Sequence, residues 1–284
     1  MLSPLLFNAG LEQAIKRWKQ RLCDHGLKLT NNDDERLTHV RFADDLIIYA
    51  STMNELTDML DMLADEFKIM GLELNGSKSK IFSTDPNVFA NDNPSYVNTA
   101  DDMIEIVRAN QTHKYLGTSL QGDLRLRGKS NLAYRLKCAW SKFHALYNPL
   151  TNKHVAIKLR LRLFDAVVTP TVLYGLISSP LNSHDYDRLA ITQRKMLREM
   201  VGWVKLPDDE WNDVFRRLRI KIQKATDQYP IRMWADEMTL RKTNLQMQID
   251  NGERNGLTMK VVEWDLANVN DKKRKRGRPR SRWI

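Results

Sequence analysis

The sequence predicts an α+β fold: strands and helices over about the first 120 residues, then an all-α remainder ending in a basic tail. Three observations predict it. Strand-forming residues flank a pair of carboxylates at 38–50. Apolar residues recur at helical spacing before and after that stretch. From about residue 126 the helical pattern runs almost to the end, punctuated by Pro170, Pro180, Gly202 and Pro207.

The elements follow in order. Residues 3–22 read as a helix. Ser3 and Pro4 form a cap and first-turn pair, and Leu11, Ile15, Trp18 and Leu22 share one face. Residues 38–50 read as a strand pair. Thr52 and Glu55 form a capping-box signature for a helix with the stripe Leu56, Met59, Leu60, Leu63 and Phe67, ending near Gly71. The stretch LELNGSKSKIFS, at 72–83, predicts a strand, a turn at Asn75-Gly76 and a second strand. Residues 85–102 are rich in Asn, Asp and Pro and predict a surface loop, and THKYLGTSL at 112–120 a short strand. Helices are expected at 127–147, 153–168, 183–201, 209–226 and 230–250. There is no internal repeat.

Composition narrows the function classes. The formal net charge is +10, and KKRKRGRPRSRW near the C-terminus holds eight of the positive charges and no acid. A basic tail on a mildly basic body points to a polyanion partner, with a solvated end as the plain alternative. Cys23 and Cys138 are the only cysteines, with no CxxC pair. That argues against structural zinc and for a reducing compartment. No apolar run approaches the roughly 20 residues of a membrane span, and the N-terminus lacks the charged start of a signal peptide. A nuclear or cytoplasmic location and no membrane partner are expected. Oligomeric state has no sequence signal.

The pointed question is RFADDLIIYA, residues 41–50. An ionised carboxylate in an apolar sheet needs compensation. Asp44 and Asp45 could face water at a hairpin tip, pair with a cation such as Arg41, or bind a hard divalent metal.

The surrounding segments resemble a known family. FADD flanked by apolar strands resembles the metal-binding hairpin of reverse transcriptases. LSPLLFN (2–8) resembles the end of the palm motif that opens a long helix. GLELNGSKSK (71–80) resembles the glycine–leucine, asparagine, lysine motif after the palm helix. HKYLG (113–117) resembles the hairpin that grips the primer end. TPTVLYG (169–175), QRKMLREMVG (193–202) and RGRPRSRW (276–283) resemble segments downstream of the polymerase in non-LTR retrotransposons. In this order they identify the chain as a member of the non-LTR (LINE-type) reverse transcriptases. The boundaries this implies are a truncated palm over 1–122, a helical thumb over 123–180, a helical region over 181–268 and a basic disordered tail over 269–284.

The resemblance implies attack of a primer 3′-hydroxyl on a nucleotide α-phosphate, with two metal ions about 3.5–4 Å apart. The partners would be an RNA template and a DNA primer or target DNA, and the metal Mg²⁺, with Mn²⁺ as a substitute. Asp44 and Asp45 would hold metal. Adjacent strand side chains face opposite ways, so both serve one site only if the turn bends the backbone there. Phe42 and Ala43 would position the turn. Lys78 would protonate leaving pyrophosphate, a role worth roughly 10²–10⁴-fold. Tyr115, Leu116 and Gly117 would contact the primer, and Ser3 and Pro4 the nucleotide pocket wall. Arg276, Arg278 and Arg280 of the tail resemble an AT-hook core suited to a narrow minor groove, or a nuclear-import signal.

Departures are equally informative. The third palm carboxylate and the glutamine–glycine that precede LSPLLFN in the family have no counterpart in the sequence. The pattern is that of a polymerase back half, with little or no DNA synthesis expected from this polypeptide alone. The acidic NNDDE (31–35) lies where the family places nothing catalytic. In RMWADEM (232–238), Asp236 and Glu237 replace a Gly-His pair. A rival reading is a nucleic-acid-binding protein without catalysis, using thumb helices and the basic tail, favoured by arginines exposed on helices such as KLRLRLF (158–164) and VFRRLRIKIQK (214–224). A third is a helical interaction protein with no nucleic-acid affinity.

Overall fold

The computed structural model describes residues 3–29, 36–84, 96–99, 102–253 and 256–261. It is a mixed α/β structure that divides into two compact units. Among the described residues, the first lies within 3–109 and 252–261, the second within 110–251. No helix among the described residues is long and apolar enough to cross a membrane.

In the first unit, α1 (Ser3–Arg21) is followed by short strands β1 (Leu27–Lys28) and β2 (Arg36–Leu37). Next come β3 (His39–Phe42), β4 (Asp45–Ile48) and α2 (Met53–Ile69). Leu11, Ala14, Ile15 and Trp18 of α1 pack on Met59, Leu63 and Phe67 of α2, the face that the helical spacing marks out. Each fully buried side chain of this kind contributes about 1.5–3 kcal/mol. Trp18 is fully buried and donates its indole N–H to the Met59 carbonyl at 2.8 Å. Arg17 and Arg21 bond buried Glu66 at 2.9 and 3.1 Å, tying the same two helices together. Thr52 Oγ1 accepts the Glu55 amide at 3.2 Å, while the Glu55 carboxylate accepts the amides of Ser51 and Gly26. Burial opposes ionisation of Glu55, but these amides outweigh it and hold its pKa below the ordinary value.

Two expectations are corrected here. The 72–83 segment is not a hairpin. Only β5 (Lys80–Ile81) joins a sheet, and it pairs in parallel with β7 (Met103–Ile106). Leu72 and Leu74 pack against the helical core instead of forming a ladder. The 85–102 segment is not all loop, because β6 (Tyr96–Asn98) pairs antiparallel with β7. Val97, Ile104, Ile106 and Ile81 bury together with Leu60, and that burial selects the strand over the turn-rich composition.

His39 is half-buried edge-on to Trp18, with ring centroids 5.4 Å apart. Burial, then the Lys19 and Arg41 charges, push its pKa below 6.5, against a smaller pull from Glu12. The unfolded chain then takes up the proton at higher pH than the folded one. Stability from this group is complete above pH 6.5 and declines as pH falls through and below it. Urea unfolding followed by tryptophan fluorescence should show a lower midpoint at about pH 5.5 than at about pH 7.5. The difference should shrink in His39→Gln; an undiminished difference would assign it to other groups.

In the second unit, β8 (Thr112–Tyr115) and β9 (Thr118–Gln121) form a hairpin ahead of six helices. These are α3 (Arg127–Ala145), α4 (Tyr147–Thr151), α5 (Ile157–Leu173), α6 (Ser183–Val201), α7 (Trp211–Gln228) and α8 (Trp234–Asp250). One core of Leu132, Phe143, Leu161, Phe164, Leu189, Met196 and Trp234 holds helices from both the 123–180 and the 181–250 stretches. Pro170 lies inside α5 rather than ending it. The Tyr174 amide closes the last turn onto the Pro170 carbonyl at 3.1 Å. The start of α5 is delayed from 153 to Ile157 because Asn152 Oδ1 takes the His154 amide at 2.9 Å in a turn of its own. The capping box at Asn182–Asp185 starts α6 where expected.

Candidate functional site

The β3–β4 hairpin pairs His39 with Ile48, Val40 with Ile47, Arg41 with Leu46 and Phe42 with Asp45. The register leaves a two-residue loop, Ala43-Asp44. Ala43 has φ 55°, the positive value that two-residue turns use to match strand twist. Alanine tolerates this at some cost, and a bulkier or β-branched side chain would not. Asp44 thus sits in the bend and Asp45 opens β4 opposite Phe42. Both carboxylates are exposed, and Phe42 is 65% exposed beside them. Leu46 and Ile48 anchor the hairpin to the α1–α2 core. Arg41 donates to Glu12 at 2.7 Å, so the cation nearest in sequence is already engaged by another acid.

Two adjacent carboxylates at a water-facing tip are a hard oxygen donor set. They fit Mg²⁺ or Mn²⁺, which bind through one or two carboxylates and complete their shell with water and phosphate oxygens. Among the described residues no group of three or more His, Cys, Asp or Glu gathers to hold a metal.

Lys78 stands exposed in a second turn of the first unit. Asn75 organises it: its Oδ1 accepts Ser77 Oγ at 2.8 Å and the Lys78 amide at 3.0 Å. Asp102 accepts the Gly76 amide at 2.7 Å and fills the space a Cβ there would need. Ser3 and Pro4 begin α1, and Leu5, Leu6 and Phe7 stand exposed in the turns after them.

The third group of anticipated residues lies in the second unit. β8 and β9 close on Leu116-Gly117, with φ 44° and 74°. Positive φ at both positions is the twist-matched hairpin turn, here with leucine at a position that disfavours it. Three residues from elsewhere in the unit hold the turn. The Tyr174 hydroxyl donates to the Leu116 carbonyl at 3.1 Å, and its ring would lie 3.0 Å from a Cβ at Gly117. Buried Arg135 donates to the Gly117 carbonyl at 3.2 Å and to the Thr171 carbonyl, and stacks over the Tyr174 ring at 5.0 Å. Asn131 accepts the Ser119 amide at 3.1 Å and donates to Ser179 at 2.8 Å.

HKYLG and TPTVLYG, far apart in the chain, meet at this turn, and Asn131 and Arg135, which no sequence motif marks, join them there. A signal was present. Both sit one helical turn apart on the stripe of Leu132, Leu136 and Ala139, where a solvated polar face would not be. Another expectation is corrected in KLRLRLF: Arg160 is buried, donating to the Met200 carbonyl at 2.6 Å, so it is a structural group and not an exposed contact. In RMWADEM, Glu237 accepts Arg241 at 2.7 Å and lies 3.6 Å from Arg232. NNDDE and the tail arginines Arg276, Arg278 and Arg280 lie outside the described residues.

Comparison with known proteins bears on the hairpin directly. Residues 1–120 match the family described as "Reverse transcriptase (RNA-dependent DNA polymerase)". An uncharacterised transposon-derived protein of Caenorhabditis elegans is 30% identical over 183 residues, covering 63% of this chain. The chain spans 62% of the length of that curated relative.

Proposed function

We propose that this chain, whose first 120 residues match the reverse-transcriptase family, is the C-terminal portion of a non-LTR retrotransposon reverse transcriptase. The assignment gives it part of the palm over 1–122, a thumb over 123–180, a helical region over 181–268 and a basic tail. Its partners are an RNA template and a DNA primer or target, in the nucleus or cytoplasm. The observation that carries the reading is the exposed carboxylate pair at the bend of the Phe42–Asp45 hairpin, inside the family-matched region.

Mg²⁺ or Mn²⁺ held there by Asp44 and Asp45 would offset charge on the attacking and leaving oxygens of phosphoryl transfer. The remaining roles belong to the chain. The bend at Ala43 directs both carboxylates to one tip, and its small side chain leaves room beside them. Lys78, presented by the Asn75 turn, offers a proton to the leaving pyrophosphate. The Tyr115–Gly117 turn contacts the primer backbone, and Arg135 and Tyr174 keep it in shape. The sequence holds no counterpart of the family's third palm carboxylate, so the 284-residue chain by itself is expected to extend a primer little.

The test is the affinity of the full chain for an RNA–DNA primer–template, with Mg²⁺ and with chelator. Magnesium should strengthen binding in the parent, and Asp44→Ala and Asp45→Ala should each remove that gain while circular dichroism stays unchanged. A gain that survives both variants sinks the polymerase reading. It would leave the second reading, non-catalytic binding through cations exposed on α7 and through the tail, which predicts loss on deleting 272–284. Primer extension on the same substrate checks the expected inactivity; robust synthesis lost in Asp44→Ala would overturn that part.

A further inference from the structure

An aromatic row lies where α6 hands over to α7. Gly202 ends α6 at φ 69°, and the loop that follows folds back on itself. Asp209 accepts the Leu206 amide at 2.8 Å and Arg217 Nη1 at 2.9 Å. The Arg217 guanidinium, then the Leu206 amide, hold the Asp209 carboxyl down to about 2. Trp203, Trp211 and Phe215 are left 45%, 49% and 44% exposed. Trp203 and Trp211 have centroids 6.1 Å apart, and Trp211 and Phe215 stack at 5.8 Å and 25°. Lys205 Nζ sits 4.8 Å over the Trp211 ring and the Arg198 guanidinium 4.9 Å over Phe215.

Single exposed apolar residues are ordinary, but three adjoining rings capped by two cations are not. The notch beside Trp203, against Val214 and Leu218, is only about 20 Å³, so it admits no more than a water and no small ligand. The segment 194–224 carries nine lysines and arginines against five acids. Two of those acids are already engaged, Asp209 by Arg217 and Asp213 by Arg216 at 3.6 Å. Aromatic faces with a net cationic surround match a polyanion whose bases are free to stack. A duplex keeps its base faces hidden.

We propose that Trp203, Trp211 and Phe215, with Arg198 and Lys205, form a stacking surface for an unpaired nucleic-acid strand. The surface lies wholly within the second unit and does not depend on the role given to Asp44.

The test uses the full chain and a labelled unpaired uridine oligomer of about 12 nucleotides, within the span that unpaired-strand binders cover. The oligomer should quench tryptophan fluorescence. The double variant Trp211→Ala, Phe215→Ala should bind about tenfold or more weakly, from the stacking lost with two rings. Trp211→Leu should be as defective as Trp211→Ala, and Trp211→Phe should bind nearly as the parent does. A blunt duplex of equal length should compete poorly, and the quench should be as large in chelator as in Mg²⁺. Unchanged affinity in the double variant, or equal competition by duplex, overturns the proposal. So does self-association in sedimentation that the double variant abolishes without changing oligomer affinity; that result makes the row a contact between copies.

Discussion

Trp234→Ala should destabilise the second unit by about 3–5 kcal/mol, the range for emptying a buried tryptophan site. The side chain is fully buried and stacks on Phe164 at 5.8 Å and 9°. Its indole N–H donates to Thr169 at 3.0 Å, and its amide donates to Gln193 at 2.9 Å. Gln193, itself fully buried, also donates to the Arg232 carbonyl at 2.8 Å. One residue therefore joins α5 and α8 through its side chain and α6 through its backbone amide. Trp234→Phe should keep the stacking and lose mainly the Thr169 bond, costing about 1–3 kcal/mol with the cavity left at the ring edge. Urea unfolding by far-UV circular dichroism on the full chain measures both. Equal midpoints for parent and Trp234→Ala would show that the helices α5, α6 and α8 do not share a cooperative core.

Arg135→Ala is the second large effect, expected at about 2–3 kcal/mol from charged hydrogen bonds lost to two backbone carbonyls. Its consequence should be local as well as global. Without the guanidinium, the Gly117 carbonyl loses its donor and the Tyr174 ring loses the cation over its face. Of the groups bonded to the turn's own carbonyls, the Tyr174 hydroxyl on Leu116 then remains. Amide hydrogen exchange at Thr118 and Ser119 should accelerate in Arg135→Ala more than at core positions of α6. Tyr174→Phe should act on the same turn, and the double variant should cost less than the two single effects added, because both groups hold one element. Strict additivity would show that each residue stabilises the unit through separate contacts. If the turn grips a primer, both variants should weaken primer–template binding without altering its magnesium dependence.

How much was legible differs by element. The α1 and α2 faces could be read directly, because Leu11, Ile15 and Trp18, and Met59, Leu63 and Phe67, repeat at a spacing that only a helix puts on one side. The Asp44–Asp45 hairpin was legible too, since a two-residue turn between apolar runs is settled by residues within a few positions of each other. The 72–83 hairpin was not. A turn at Asn75-Gly76 did form, but Leu72 and Leu74 found more burial against the helices, and β5 found a parallel partner more than twenty residues on. Pro170 misled in the same way: a proline that often ends a helix is tolerated one turn before the C-terminus of α5, where packing of Val168, Val172 and Leu173 continues the element.

By itself, then, the sequence determined the mixed class, the helix order of the second half and the carboxylate pair at its turn, because each rests on local spacing and turn chemistry. Only the tertiary structure decided which distant residues serve which turn. It placed Arg135 and Tyr174 on Leu116-Gly117, Asp102 under the Lys78 turn, Arg160 inside the core and the Trp203–Phe215 row outside it. The physical reason is that these contacts close long loops and compete for burial. Their outcome depends on how whole helices pack, which no window of neighbouring residues contains.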